Sequence, residues 1–214
     1  MKPFLVVLSS PSGGGKSTIA RRLLATRTDL GYSVSATTRA QRQGEVQGKD
    51  YHFLGDAEFE RRVAAGEFLE SASYGGRRYG TLRSEVERVL ASGKHAILDI
   101  EVEGARQVRR KFPDAVHVFV LPPSGAVLIE RLKARKTESA AEMRRRLVTA
   151  GSEFAAVTEY DYVVVNDNLD RVVASVAGII DSEGLKVRRQ EALAALADTL
   201  RREMSAEAAR LAQE

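Results

Sequence analysis

The chain has 214 residues, of which 43% are hydrophobic and 29% charged, as expected for one globular domain with small insertions. It contains no cysteine, which excludes disulfides, thiolate zinc sites and a cysteine nucleophile. The formal charge of +4 and the pI near 9.4 indicate anionic ligands. Because Lys and Arg are spread along the chain without interleaved aromatic residues, a small phosphate-bearing ligand fits at least as well as nucleic acid.

The first predicted element is a short apolar strand at Phe4 to Leu8. Its continuous hydrophobicity is typical of a strand that is buried on both faces of a parallel sheet. The run is too short for a secretory signal or a membrane-spanning helix. We therefore expect a cytoplasmic protein without a membrane partner.

A glycine-rich loop links this strand to a helix predicted at 17–27. It matches the pattern G-x-x-x-x-G-K-[ST], with Ser10 in place of the first glycine. Glycines let successive backbone N–H groups turn around a phosphate, and the helix N-terminus adds positive partial charge. Lys16 would reach the β- and γ-phosphates, and Ser17 would bind Mg²⁺. The pattern predicts an ATP site formed by Ser10, Pro11, Ser12, Gly13, Gly14, Gly15, Lys16 and Ser17. Alone, it indicates only a P-loop NTPase or kinase.

The rest of the chain predicts an α/β fold with two insertions. Further apolar strands are predicted at 94–100, 115–121 and 161–165, with helices between them, which favours a doubly wound parallel sheet. Short strands at 33–39, 50–54 and 67–74 with a helix at 56–65 predict a small mixed α/β insert. The predicted units are a P-loop core (1–32, 94–125 and 156–189), a monophosphate-binding insert (33–93), a helical lid (126–155) and a C-terminal helical tail (190–214).

The tail has leucines on one helical face, at Leu193, Leu196 and Leu200. Two interpretations stay open: a helix that binds a partner, and an amphipathic tail that lies on the domain or frays.

An ordered series of motifs follows the P-loop. It comprises Ser33-Val-Ser-Ala-Thr-Thr-Arg39, Arg42, Gly44-Glu45, Gly48, Asp50-Tyr51, Phe68-Leu-Glu70, Tyr79-Gly-Thr81, Leu98-Asp-Ile-Glu101, Leu121-Pro-Pro-Ser124 and Val165-Asn-Asp167. In this order the motifs resemble those of the guanylate kinase family, from about Phe4 to Arg189. Such a series is far more specific than a P-loop alone.

The resemblance implies transfer of the γ-phosphoryl group of ATP to GMP, with Mg²⁺ as cofactor. It implies that the acceptor phosphate is held by Arg39, Arg42, Tyr51 and Tyr79, and that the guanine ring is read by Ser35, Glu70, Thr81 and Glu101. A carboxylate suits guanine, because its N1–H and exocyclic amine are neighbouring donors, whereas adenine N1 is an acceptor. Glu70 is therefore the main candidate for base selection.

The same resemblance implies how transfer is catalysed. Lys16, Arg42 and two lid arginines, Arg135 and Arg146, would place positive charge around the moving phosphoryl group. Asp99, together with Ser17, would lie near the metal. Asn166 would contact the adenine of ATP or serve as a turn residue.

The chain departs from the family pattern at a few positions. Glu101 stands where the family usually has Asp, Ala134-Arg-Lys136 replaces a Gly-Arg-Gly, and Gln41 and Gln43 stand where prolines are common.

Two other functions are less consistent with these residues. A ribose bisphosphate kinase would not need Glu70 and Ser35, and a guanylate-kinase-like phosphopeptide-binding module would not need Lys16, Ser17 and Asp99. We expect ATP and GMP as ligands and no nucleic acid. These features do not set whether the chain is a monomer or a homo-oligomer.

Overall fold

The computed structural model describes residues 1–134 and 140–212, and its strands form two sheets. The strands are β1 (Leu5–Ser9), β2 (Leu30–Tyr32), β3 (Ser35–Thr37), β4 (His52–Phe53), β5 (Phe68–Tyr74), β6 (Arg77–Leu82), β7 (His95–Asp99), β8 (Val116–Leu121) and β9 (Tyr162–Val165). The helices are α1 (Lys16–Thr26), α2 (Asp56–Ala64), α3 (Arg83–Ala91), α4 (Val102–Lys111), α5 (Gly125–Lys133), α6 (Ala140–Phe154), α7 (Leu169–Gly184) and α8 (Glu191–Leu211), with 3₁₀ turns at Ala155–Glu159 and Val187–Arg189.

The larger sheet has five parallel strands in the order β2-β7-β1-β8-β9. Apolar residues of α1 and α7 cover one face, and those of α3 and α4 cover the other. Because both faces are covered, strands such as β1 read as continuous apolar runs, with Val6, Val7 and Leu8 fully buried. The predicted doubly wound fold is confirmed.

This strand order brings two functional segments to one edge of the sheet. Leu8 of β1 lies opposite Asp99 of β7 in parallel register. The carboxyl ends of both strands therefore open toward the loop that begins at Ser10, where ligands bind in open α/β sheets.

The smaller sheet has four strands in the order β4-β3-β6-β5. Only Ser35–Thr37 of the predicted strand at 33–39 joins the smaller sheet, as β3. The strand before it, β2, belongs to the larger sheet. The sequence analysis missed β6, whose start is charged; it pairs with β5 through a hairpin with positive φ angles at Gly75 and Gly76.

Helices α5 and α6 pack through Leu128, Leu132 and Ala150. Helix α8 leaves Leu193, Leu196 and Leu200 about half exposed, so it does not bury this face on the domain. No helix in the described part of the chain combines the length and apolar character needed to cross a membrane.

Candidate active site

The loop between β1 and α1 forms a tight turn around its glycines. Gly13 and Gly15 have φ angles of 87° and 99°, in the region that favours glycine. The Gly14 N–H donates to the Pro11 carbonyl at 2.9 Å. A Cβ on Gly14 would lie 2.7 Å from the Ser10 Cβ. Ser10 can therefore replace the usual glycine because Gly14 leaves room for its side chain.

Asn166 anchors this loop from the end of β9. Its Nδ2 donates to the Gly14 carbonyl at 2.8 Å, and the side chain is buried. The amide therefore holds the shape of the phosphate loop, while its contact with adenine stays a prediction.

Arg131 of α5 was missed by the sequence analysis. Its Nη2 donates to the Asn166 carbonyl at 3.2 Å. Its Nη1 is buried next to the phosphate loop, without a hydrogen-bond partner among the described residues. The signal was present in the sequence, since Arg131 precedes Arg135 by one helical turn. Arg135 itself lies outside the described residues.

Lys16 lies between two carboxylates. Its Nζ donates to Glu101 Oε1 at 2.8 Å and lies 3.9 Å from Asp99 Oδ1. Burial alone would lower the pKa of Lys16, but the charges of Glu101 and Asp99 outweigh it and raise the pKa. Lys16 is thus a permanent cation at the phosphate loop, and Glu101 is its nearest counter-ion.

Asp99 has a carboxylate oxygen that is free for another ligand. Oδ1 is buried and makes no hydrogen bond with the described residues. Burial raises the pKa of Asp99, while Lys16 and the Ser17 hydroxyl act in the opposite direction. A carboxylate oxygen without a hydrogen bond, beside a hydroxyl, is a donor set that suits a hard cation such as Mg²⁺.

Helix α6, which lies in the segment predicted to be a lid, brings two side chains near the phosphate loop and Glu101. Arg146 Nη2 donates to Ser12 Oγ at 2.9 Å, so this predicted arginine does reach the phosphate loop. Glu153 is buried, and burial together with the nearby Glu101 raises its pKa to about 7. The sequence analysis missed Glu153, which no local motif marks.

Arg39, Tyr51 and Tyr79 meet on the smaller sheet. The Arg39 guanidinium lies 5.3 Å from the centre of the Tyr51 ring, and the Tyr51 and Tyr79 ring centres are 6.2 Å apart. Arg39 is held by two hydrogen bonds to Glu45, at 2.8 and 3.0 Å. Arg42 is exposed and joins this group through its backbone: its N–H donates to the Glu45 carboxylate at 2.8 Å, and its carbonyl accepts from the Glu45 N–H at 3.1 Å. The structure therefore gathers three of the four predicted phosphate ligands.

Three predicted base-reading residues are neighbours across adjacent strands. Ser35 lies opposite Thr81, and Thr81 lies opposite Glu70. Thr81 Oγ1 donates to Glu70 Oε1 at 2.7 Å. Glu70 is 4% exposed, and burial raises its pKa to about 7, although the Thr81 hydrogen bonds oppose this shift. The fourth predicted residue, Glu101, is bonded to Lys16 instead.

Gly104 of α4 packs directly on the Glu70 carboxylate. A Cβ at this position would lie 2.5 Å from Glu70 Oε2, so Gly104→Ala must displace the end of that flexible side chain. Alanine favours the helix itself, and the fold should remain intact. For GMP, the acceptor that the motif resemblance implies, we expect KM to rise by roughly tenfold, the equivalent of one weakened hydrogen bond. Steady-state kinetics and a thermal melt of the same sample check both statements. An unchanged KM would show that the position of Glu70 does not limit GMP binding.

Known proteins of one family are similar to this chain over most of its length. The family model described as guanylate kinase matches residues 2–183. The guanylate kinase of Symbiobacterium thermophilum is 50% identical over 93% of this chain and 93% of its own length. That of Rubrobacter xylanophilus is 54% identical over 78% of this chain and 87% of its own. The crystal structure of guanylate kinase from Anaplasma phagocytophilum is 33% identical, with a TM-score of 0.75 over 92% of this chain and 94% of that one.

Proposed function

Since the chain belongs to the guanylate kinase family and is an ATP:GMP phosphotransferase, we propose that its two sheets hold the two substrates on either side of the Lys16–Glu101 ion pair. ATP would bind along the phosphate loop, with Asn166 beside its adenine. GMP would bind to the smaller sheet. In this proposal residues 1–32, 94–125 and 156–189 form the core, 33–93 the acceptor unit and 126–155 the lid.

The buried carboxylate of Glu70 supports the assignment of the base site. A carboxylate can accept two hydrogen bonds at once, and guanine offers N1–H and its exocyclic amine side by side. Ser35 and Thr81 add hydroxyls next to Glu70. Adenine would leave the carboxylate facing an acceptor, and a buried polar group without a partner costs binding energy.

The acceptor phosphate would lie against Arg39, Tyr51 and Tyr79, which the structure brings together. Arg39 offers a bidentate guanidinium and the tyrosines offer neutral hydroxyl donors. Arg42 would join them once a dianion draws its exposed side chain inward.

Transfer in this site is mainly a problem of charge. The attacking phosphate oxygen of GMP is already ionised at neutral pH, so no general base is needed. The two anionic nucleotides repel each other, and cations must lie around the moving phosphoryl group. Lys16 belongs to the phosphate loop and Arg146 contacts its Ser12, and Arg42 and Arg135 would complete the set.

Asp99 and Ser17 would hold Mg²⁺ beside the phosphate loop. The free Oδ1 of Asp99 and the adjacent hydroxyl fit this role. When bound, the ion neutralises phosphate charge. Asp99 also keeps Lys16 oriented toward the loop, and closure of the lid would exclude water from the cleft.

A parallel assay of four nucleotides tests the base assignment. ATP and Mg²⁺ are supplied with GMP, AMP, CMP or UMP, and ADP formation is followed. We expect GMP to be the fastest acceptor. Faster turnover with AMP would contradict the role of Glu70.

A further inference from the structure

The Glu101 carboxylate connects the two sides of the cleft. Glu101 is the second of two residues between β7 and α4, and its Oε1 accepts from Lys16 Nζ at 2.8 Å. Its Oε2 is buried and has no hydrogen-bond partner among the described residues. Oε1 therefore already accepts a hydrogen bond from Lys16 of the phosphate loop, and Oε2 can accept one from a second donor.

The helix that follows Glu101 reaches the proposed base pocket. Helix α4 starts directly after Glu101, and its Gly104 packs against the Glu70 carboxylate. Burial is the main cause of the raised pKa of Glu70, and the charge of Glu101 adds a smaller contribution in the same direction. A ligand with neighbouring donors would relieve the repulsion between them.

We propose that Glu101 couples the binding of the two substrates: it neutralises Lys16 while the base pocket is empty, and it shares its charge with guanine when GMP binds. This inference rests on the placement of GMP given above. In the free protein Oε1 is the nearest counter-charge of Lys16, with Asp99 farther away, and this charge weakens the attraction of the loop for phosphate. A hydrogen bond from guanine to Oε2 withdraws negative charge from Lys16 and restores that attraction.

The coupling must be reciprocal. If GMP strengthens the binding of an adenine nucleotide by a given factor, the adenine nucleotide strengthens GMP binding by the same factor. Coupling between sites typically amounts to factors of about 5 to 150. Repulsion between the two nucleotides acts in the opposite direction, so the contribution of Glu101 has to be isolated by comparing variants.

The test measures ADP binding by calorimetry, in the presence of Mg²⁺, with and without saturating GMP. ADP is chosen because no transfer follows. Glu101→Asp shortens the side chain so that it cannot hold Lys16 and reach the base together, and Glu101→Gln keeps the length and removes the charge. We expect both variants to bind ADP more tightly than the wild type when GMP is absent. The factor by which GMP increases the ADP affinity should be at least about fivefold larger in the wild type than in either Glu101 variant.

Glu103→Gln is the matched control. Glu103 also lies at the start of α4, but it is exposed and pairs with Arg106 at 3.6 Å. Removing its charge should leave the ADP affinity unchanged, both without GMP and with saturating GMP. Equal ADP affinities and equal gains in the wild type and both Glu101 variants would overturn the coupling. A wild-type protein that neither binds GMP nor converts it to GDP would instead overturn the placement of GMP.

Discussion

Replacing Arg146 with alanine is expected to lower kcat by about 10³-fold while the affinity for GMP changes little. Arginines that stabilise a phosphoryl-transfer transition state contribute on the order of 10³ to 10⁵ in rate. Arg146 extends from α6 to Ser12 of the phosphate loop, 2.9 Å away, whereas the proposed site for the base lies on the smaller sheet. The loss should therefore fall on the transition state and not on ground-state binding. Steady-state kinetics and calorimetry with GMP separate the two quantities.

Arg145→Ala provides the comparison for this experiment. Arg145 lies next to Arg146 on the same helix but is exposed, so its removal takes away the same charge without a contact to the loop. We expect kcat for Arg145→Ala within about twofold of the wild type, as for most surface substitutions. Losses of similar size in kcat and in GMP affinity for Arg146→Ala would argue against a transition-state role.

The second large effect is expected from Glu70→Gln. Glutamine keeps the shape of the side chain, but it replaces one acceptor oxygen with a donor that faces the donors of guanine. Hydrogen bonds to charged groups contribute about 1.5–3 kcal/mol, so kcat/KM for GMP at pH 8 should fall roughly 10- to 100-fold. Competition between GMP and AMP in one reaction should show reduced discrimination.

The pH profile provides an independent check on Glu70. Burial raises the pKa of Glu70 to about 7, so in the free enzyme the carboxyl is largely protonated at pH 6 and ionised at pH 8. Guanine needs the ionised form, and kcat/KM for GMP should therefore rise with pH across this range. The second ionisation of a phosphate monoester lies near pH 6 and contributes to the same rise. The pH profile of Glu70→Gln should keep only the rise that is caused by the phosphate. The difference between the wild-type and variant profiles therefore measures the ionisation of Glu70.

Glu67→Gln serves as the control for both measurements. Glu67 lies just before β5, has a side chain that is 41% exposed, and is about 3.8–3.9 Å from two arginines of α2. Its replacement should alter neither the base preference nor the pH profile. If Glu70→Gln and Glu67→Gln behave alike, Glu70 does not select the base.

The sequence by itself determined the phosphate loop and the fold class. Ser10 to Ser17 form one continuous segment between an apolar strand and a helix, so local glycine geometry and strand-to-helix order are sufficient to predict its shape. Four of the five strands of the larger sheet were predicted for a similar local reason, because each is a short apolar run, and β1, β7 and β8 are buried along almost their whole length. The three-residue strand β2 carries no such run and was not predicted. The order of the acceptor motifs likewise indicated the family.

Only the tertiary structure decided which of these side chains meet. Glu101 was expected at the guanine base, yet it bonds Lys16, 85 residues away, because β7 pairs with β1 and their carboxyl ends coincide. The contact of Arg146 with Ser12 spans 134 residues and depends on how α6 packs on α5. Glu153 of the same helix is buried near Glu101 and Lys16, which are likewise distant in the chain. Sequence periodicity specifies which face of an element is buried, but the partner of that face follows from strand order and helix packing, which involve residues far apart in the chain.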